Sequence, residues 1–544
     1  AQMACLPRLK PRRFYDLVVQ VAIIRPGPIV GNMVNPFLKR RQGREAVAYP
    51  HPSLETVLRR TLGVPLFQEQ LLRMAMITAN FTGGEAEELR RAMGFKRSEA
   101  RMKIIEQKLR AGMTRNGICG EMQERIVQSI ASFALYGFPE SHAASFALIA
   151  YASAYLKCHY LAAFTAALLN NQPMGFYHPA TIVKDAQRHG LKVLPMDVTR
   201  SDWKCTLEPI SSSVILSEAK DLCIAAGAAQ MHRSSTSASV SLRENDASVQ
   251  HHKPDGGSLE FAVRLGLNYA RGLREPAGQA LVRERSLAPF ASVHDLARRV
   301  PELRKDELTT LVEIGALDEI GNPPPRHGDT EKTFLVESPW VEVSLDKRVR
   351  DKSEALESSP SVPPCLRGEK PFHRRDALWQ VERAVRWSGP LLDELPEVDG
   401  ESPLAAMTGE ERLMADFRAT GLTVGPHPMQ YRRSEMQKMG IYRACDLARV
   451  PNGRRLRIGG CVIARQRPGT AKGMMFMSLE DETGIANAIF APDLLRQHRA
   501  LLISARFLMV EGILQNRDNV IHIRAEKVSP LHITQAETAS HDFH

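Results

Sequence analysis

Apolar residues recur at spacings of three and four in Leu54–Leu62, Phe67–Ile77 and Ile126–Leu135, which predicts helices that each bury one stripe. Residues 1–207 therefore read as one largely helical unit. Its breaks carry turn chemistry: Arg25-Pro26-Gly27-Pro28, Gly83-Gly84 ahead of a Glu-rich helix, and Gly137-Phe138-Pro139 ahead of another. Ala143–Leu156 is uncharged and apolar, but Lys157 and His159 interrupt it short of the roughly 18 to 20 residues of a membrane span. It predicts a buried helix. Residues 208–258 change texture, with Ser runs, His251-His252 and Pro254-Asp255-Gly256-Gly257. Too few apolar groups are present to offset ordering, so a disordered insertion is expected. Helical periodicity returns over 259–320. A second polar stretch, 321–370, opens on Pro323-Pro324-Pro325 and is expected to be disordered as well. A helical connector fills 371–450. Alternating strands follow at Leu456–Val462, Met474–Leu479, Ala486–Phe490, Arg506–Gln515 and Val520–Lys527, and five strands in so short a span predict a Greek-key barrel of OB type over 451–530. Residues 531–544 form a tail. The fold class expected is multi-domain, mainly α, closing on a small β-barrel.

A chain of 544 residues exceeds one core and suggests three or four units. Lys and Arg outnumber Asp and Glu 72 to 61, a net charge of +11, which favours a polyanionic partner, nucleic acid ahead of a membrane surface. The eight cysteines (Cys5, Cys119, Cys158, Cys205, Cys223, Cys365, Cys445, Cys461) form no Cys-x-x-Cys pair. Structural zinc and a disulfide framework are not expected, and reduced thiols are. The Arg-rich start holds no secretory apolar core, so the expected location is cytoplasmic.

Charge is densest over 88–110, where Arg90, Arg91, Lys96, Arg97, Arg101, Lys103, Lys108 and Arg110 face Glu88, Glu99 and Glu106. Arg90, Arg91 and Lys96 fall within two helical turns, so two guanidinium forks and an ammonium could meet one phosphate cluster. A solvated helix face would carry the same pattern. In Tyr136-Gly137-Phe138-Pro139-Glu140-Ser141-His142 a glycine turn leads into a helix start. Ser141 is placed to cap it and His142 to donate to an anion at the helix amides, although a packed histidine would serve the fold alone. In the barrel, Arg454, Arg455, Arg457, Arg465, Arg467 and Lys472 decorate the first strands and their loop, as in folds that track single strands. Phe476 and Phe490 sit in apolar alternation and read as core aromatics rather than stacking platforms.

Arg25-Pro26-Gly27-Pro28, Phe67-Gln68-Glu69-Gln70, Leu89-Arg90-Arg91-Ala92-Met93-Gly94 and Tyr136 to His142 stand in the order found in the fingers of bacterial polymerase III alpha subunits. The chain resembles that C-family of DNA polymerases. Gln172-Pro173-Met174-Gly175-Phe176-Tyr177, Arg188-His189-Gly190 and Leu194-Pro195-Met196-Asp197 resemble its error-prone branch. Leu265-Gly266-Leu267 and Arg271-Gly272-Leu273 are similar to the helix-hairpin-helix segment after the fingers, with Arg274 departing from the usual pattern. Arg374 to Gln380 and Gly425-Pro426-His427-Pro428 resemble the landmarks that precede the OB domain. The resemblance implies damage-tolerant DNA synthesis and repair, with primer-template DNA and dNTP as partners. Arg25, Arg90, Arg91, Lys96, Ser141 and His142 would be the nucleotide- and DNA-binding positions.

Phosphoryl transfer by polymerases needs closely set carboxylates that hold two metal ions. No Asp-x-Asp occurs here, and the acidic clusters Glu397-Val398-Asp399 and Glu480-Asp481-Glu482 lie in a linker and a barrel turn. In the family resembled, the metal-binding aspartates belong to a palm upstream of the fingers. The chain is therefore expected to be the C-terminal half, a fragment or a split reading frame that begins with Ala1. No residue of it would be catalytic or bind metal, and Mg²⁺ would belong to the intact enzyme. Other proteins of the mutasome and a sliding clamp are implied as partners of that enzyme, without a clamp-binding Gln-x-x-Leu-Phe peptide to mark the contact. The alternative reading is a non-catalytic DNA-binding protein or a decayed polymerase remnant.

Overall fold

The computed structural model describes residues 2–23, 34–92, 99–133, 138–175, 177–210, 260–320, 373–384, 402–518, 520–531 and 541–543. Both expected insertions lie outside these, apart from residues 208–210 of the first, as do Arg25, Lys96, Gly137 and the Glu397-Val398-Asp399 cluster. The described residues form two compact units. One comprises Ala1–Leu194, Cys205–Arg264 and Gly421–His544, and the other Pro195–Lys204 and Leu265–Thr420.

In the first unit the longer helices ahead of a small sheet are α1 Gln2–Leu9, α2 Phe14–Ile23, α3 Val34–Arg41, α4 Gln68–Ala79, α5 Gly83–Ala92, α6 Glu99–Arg115, α7 Glu121–Phe133, α8 Glu140–His159, α9 Leu161–Asn170 and α10 Pro179–Arg188. The apolar stripes predicted from spacing form one core, where Leu54, Leu58, Leu71, Met74, Leu89, Leu109 and Ile126 are buried together. The Phe67-Gln68-Glu69-Gln70 motif is consumed in building it. Gln70 is buried, its Oε1 accepting from the amides of Leu66 (2.8 Å) and Phe67 (3.1 Å), while its Nε2 donates to Thr61 Oγ1 (2.9 Å) and the Val57 carbonyl (3.2 Å). A buried amide with every group satisfied fixes the start of α4.

Helix α8 differs from expectation. Only Ala143 and Ala147 on it are buried, whereas Phe146, Leu148, Ile149, Tyr151, Tyr155 and Leu156 are exposed. The reason is geometric. Small residues let α2 approach one stripe of α8, with Phe14 and Tyr151 meeting edge to face at 6.5 Å, and the large apolar side chains point elsewhere.

Strands β1 Val193–Leu194, β2 Thr206–Ile210 and β3 Glu260–Arg264 pair in the order β1-β3-β2. Strand β2 runs through Glu208–Ile210 in register with β3, so the boundary expected after residue 207 falls inside a strand. The half-buried Glu208 forks the buried Arg264 guanidinium, with Nη2 to Oε2 at 2.9 Å.

The second unit holds α11 Glu275–Leu287, α12 Val293–Arg299, α13 Lys305–Glu313, α14 Arg374–Ala384 and α15 Gly409–Thr420. Helix α12 starts on Ser292, whose Oγ accepts from the Asp295 amide at 3.1 Å while the Asp295 carboxylate accepts from the Ala291 amide at 3.1 Å. This reciprocal cap fills two orphan donors. The landmark Arg374 binds Asp416 on α15 at 2.8 Å and the Glu313 carbonyl at 2.9 Å.

The barrel belongs to the first unit. After a short β4, Ile441–Tyr442, its strands are β5 Arg455–Gln466, β6 Met475–Glu480, β7 Ile485–Phe490, β8 Phe507–Arg517 and β9 Val520–Pro530. They pair β5-β6-β7-β9-β8, and β8 returns to β5, which closes the ring. Each of the five starts and ends within four residues of the span read from alternation. Inward residues Leu456, Ile458, Met477, Leu479, Ala488, Phe490, Val510 and Ile523 fill the centre, as a closed barrel of this size requires. Phe490 is fully buried in that core, in keeping with a core role, whereas Phe476 is only half-buried and alternates with the inward Met475 and Met477, so it stands on the outer face of β6 and outside the core.

Candidate nucleic-acid interface

The charges expected on the barrel divide into two sets. Arg465 is buried and donates to the carbonyls of Leu502 (2.7 Å) and Ala505, so it fastens a short helix and offers nothing to solvent. Arg457 donates to Glu511 at 2.9 Å and to the Met439 carbonyl at 3.1 Å, and Arg455 pairs with Glu526 at 2.6 Å. Arg454, Arg467 and Lys472 are exposed and make no side-chain ion pair among the described residues. Arg467 and Lys472 sit in the β5–β6 loop, and Lys472 holds φ +51. In OB folds that loop and the β8–β9 turn flank the strand-binding face.

The carboxylates of the β6–β7 turn are structural. Glu480 and Asp481 are buried. Glu480 accepts from Arg188 at 2.7 Å, and Asp481 Oδ1 accepts from the Thr483 amide, its hydroxyl and the Gly484 amide at 2.7, 2.7 and 2.9 Å. Glu482 is forked by Arg433 at 2.5 and 2.6 Å. Burial pushes Glu480 up to about 7 despite the Arg188 charge. His427, 4.0 Å away, is held down to about 3 by burial and then by Lys184, Arg188 and Arg433. Among the described residues no three His, Cys, Asp or Glu gather as a metal site. The donors for polymerase metal ions do not fit this set.

The hairpin loop is also largely self-satisfied. The Arg271 amide donates to the Ala419 carbonyl at 2.7 Å and the Leu273 amide to Ala270 at 3.2 Å. Gly272, at φ +84, is the residue of that turn that only glycine adopts without strain. Arg274, the departure from the usual pattern, has a structural use. It clamps the buried Glu307 through Nε and Nη2, both at 2.9 Å. Burial opposes ionisation of Glu307, but Arg274 and the amides of Arg304 and Arg274 hold it down to about 2.

Arg90 and Arg91 lie on exposed α5 surface and converge on Glu87, one residue outside the basic passage. Arg90 binds it twice, at 2.6 and 2.7 Å, and Arg91 once, at 3.1 Å. Glu87 is held down to about 2 by Arg90 first and Arg91 second. The pair is brought together, yet partly neutralised. Ser141 and His142 are exposed on the first turn of α8. Ser141 does not cap it, because the helix begins one residue earlier. Pro139 is the N-cap residue, and the Glu140 amide is taken by the Glu69 carboxylate at 2.9 Å. Glu140 in turn accepts from Tyr15 at 2.6 Å, and Arg60 lies 3.8 Å from it. His142 sits between the rings of Phe138 (5.3 Å) and Phe146 (4.7 Å).

Spacing along the chain gave no hint of a cavity of about 470 Å³ lined by Arg8, Lys10, Arg12, Arg41, Arg44 and Asp518, among others. Its cations come from three segments that only the fold assembles.

Residues 1–117 match the bacterial DNA polymerase III alpha subunit finger domain, residues 190–326 a helix-hairpin-helix motif, and residues 456–531 an OB-fold nucleic acid binding domain. Along its whole length the chain is 39% identical over 545 residues to an error-prone DNA polymerase of Anaeromyxobacter sp. (strain K). It is 38% identical over 546 residues to that of Alkalilimnicola ehrlichii and 38% over 557 residues to error-prone DNA polymerase 2 of Rhizobium meliloti. It spans 40%, 44% and 42% of those relatives' lengths, respectively.

Proposed function

We propose that this chain is the fingers, helix-hairpin-helix and OB portion of an error-prone DNA polymerase that holds primer-template DNA and dNTP during damage-tolerant synthesis. The observation that carries this reading is collinearity: three matched domains stand in order within one alignment that runs the length of the chain. The closed barrel, whose exposed β5–β6 loop cations Arg467 and Lys472 have no ion-pair partner among the described residues, and the net charge of +11 support a polyanionic partner. Mg²⁺, the mutasome proteins and the sliding clamp belong in this proposal to the complete enzyme, as does the C-terminal placement of the chain within it. Titrating labelled primer-template DNA with the purified chain over a range of salt tests it. The expected result is log affinity falling linearly with log salt, at about −0.9 per phosphate neutralised on duplex. Absence of binding at low salt would refute the reading.

A further inference from the structure

The turn between β8 and β9 carries Arg517 and Asp518, the latter at φ +53. Among the described residues Asp518 is the sole carboxylate lining the 470 Å³ cavity, against Arg8, Lys10, Arg12, Arg41 and Arg44. We propose that this cavity is a backbone-phosphate site for a single DNA strand leaving the barrel, and that Asp518 fills it with its own oxyanion when DNA is absent.

The side chains divide by occupation. Arg41 is largely committed: it donates to the Leu9 carbonyl at 3.3 Å and to Asp16 at 2.6 Å, which braces α1 against α3. Arg44 donates to Asp518 Oδ1 at 3.1 Å. Arg8 Nε stands 3.7 Å from Asp518 Oδ2, beyond hydrogen-bonding reach, and is buried without an acceptor among the described residues. Lys10 and Arg12 are exposed and have no side-chain partner among the described residues. One carboxylate thus serves where several donors converge, and an unsatisfied guanidinium N–H is costly unless an acceptor arrives. A phosphodiester brings two unesterified oxygens to the same place. The positive field is felt nearby: His522 on β9 is shifted down by burial first and then by Arg8 and Arg517.

The position selects a strand over a free nucleotide. The β8–β9 turn is one of the two loops along which OB folds carry an oligonucleotide, and Arg517 extends the positive charge along it. Among the described residues the lining offers no aromatic face for a base, so the site reads phosphate and carries no sequence information. Its volume falls within the roughly 300 to 1,000 Å³ of pockets that admit a nucleotide-sized group.

This inference rests on the nucleic-acid reading of the barrel, and the test separates the two. Anisotropy of labelled oligo-dT is followed against salt for the full chain, Asp518→Asn and the double variant Arg8→Ala with Arg44→Ala. Asp518→Asn should bind roughly three- to fivefold tighter, about the worth of one exposed ion pair removed as a competitor. The double variant should bind more weakly, its log–log salt slope shallower by about 0.7 for each phosphate no longer neutralised. Should the double variant fail to fold, Asp518→Asn decides alone, since a purely structural pair predicts no gain. A parent chain that binds while Asp518→Asn gains nothing, or while the slope of the folded double variant is unchanged, overturns this inference only. No binding by the parent overturns both readings. Inorganic pyrophosphate bound more tightly by Asp518→Asn, with oligo-dT affinity level, overturns the assignment to a strand.

Discussion

Arg90 and Arg91 show how far residue-level reasoning reaches and where it stops. Their proximity on one helix was legible from spacing, but Glu87 lay one residue outside the window and takes the Arg90 fork and a single bond from Arg91. A phosphate must displace a carboxylate held down to about 2, and the pair is exposed, so screening limits what each arginine contributes. Replacing both arginines by Ala is expected to shallow the salt slope of duplex binding by at most about 0.9 for each phosphate left without its cation. An unchanged slope in the titration would assign them to a solvated face. Ser141 failed as a cap for a different reason: the Glu69 carboxylate, distant in sequence, already holds the helix amide. Arg274, which weakened the hairpin motif as a sequence pattern, gains its meaning from Glu307. Glu307→Gln should destabilise the second unit by about 2 kcal/mol, the loss of charge-assisted hydrogen bonds. The folded-state pKa is depressed, so the stabilisation is full above about 4.5, the ordinary value, and is lost as pH falls from there towards about 2. Urea unfolding at pH 6 and pH 3 checks this: the parent should lose more than the variant.

At the scale of elements the barrel was the most legible part, because a two-residue alternation has one buried answer once the ring closes. Gly460 and Gly512 mark its close points: an added Cβ on Gly460 would stand 2.7 Å from the Glu480 carbonyl oxygen, and one on Gly512 would come nearer still to the Arg524 carbonyl. Helix α8 was misread because an apolar run carries no information on how many neighbours surround it. The polar junction of α10, the Gly425-Pro426-His427-Pro428 segment and β6 was invisible as a unit, since its parts are separated by more than two hundred residues in the chain or by more still. Its titration has a definite sign. Glu480 is raised from 4.5 to about 7, so it favours the fold at low pH and that contribution is lost as pH climbs through this interval. His427 is lowered from 6.5 to about 3, so its contribution is present above 6.5 and lost as pH falls. Between pH 4.5 and 6.5 the two oppose one another. Glu480→Gln leaves the histidine uncompensated, and the variant's stability relative to the parent should drop by up to about 1.4 kcal/mol per pH unit on acidification across that window. Matched urea curves for the two proteins at pH 6.5 and 5 read the difference, and parallel behaviour would dissociate Glu480 from the pH dependence.

For the whole molecule the sharpest expectation concerns chemistry: the chain alone should extend no primer, even with Mg²⁺ or Mn²⁺ and all four dNTPs. Cationic side chains can position a triphosphate and neutralise part of its charge. They do not take the place of metal ions that activate the 3′ hydroxyl and stabilise the departing pyrophosphate. The acidic triplet Glu480-Asp481-Glu482 could not assemble such ions without abandoning Arg188, Arg433, three turn hydrogen bonds and the Ala444 amide. Binding and catalysis should therefore separate, with primer-template retained by the chain and extension absent. A primer-extension assay compares the purified chain with the same chain joined to the remaining portion of a relative such as the Alkalilimnicola ehrlichii polymerase, which the family resemblance expects to bring the palm carboxylates. Extension by the isolated chain would sink the claim and would require a metal site among residues whose carboxylates are engaged structurally. Extension only by the joined protein, at parent-like DNA affinity, would assign the chain its place in a polymerase. A folded joined protein that binds DNA and extends nothing would favour the non-catalytic reading, with the defect lying in this chain's own fingers or insertions.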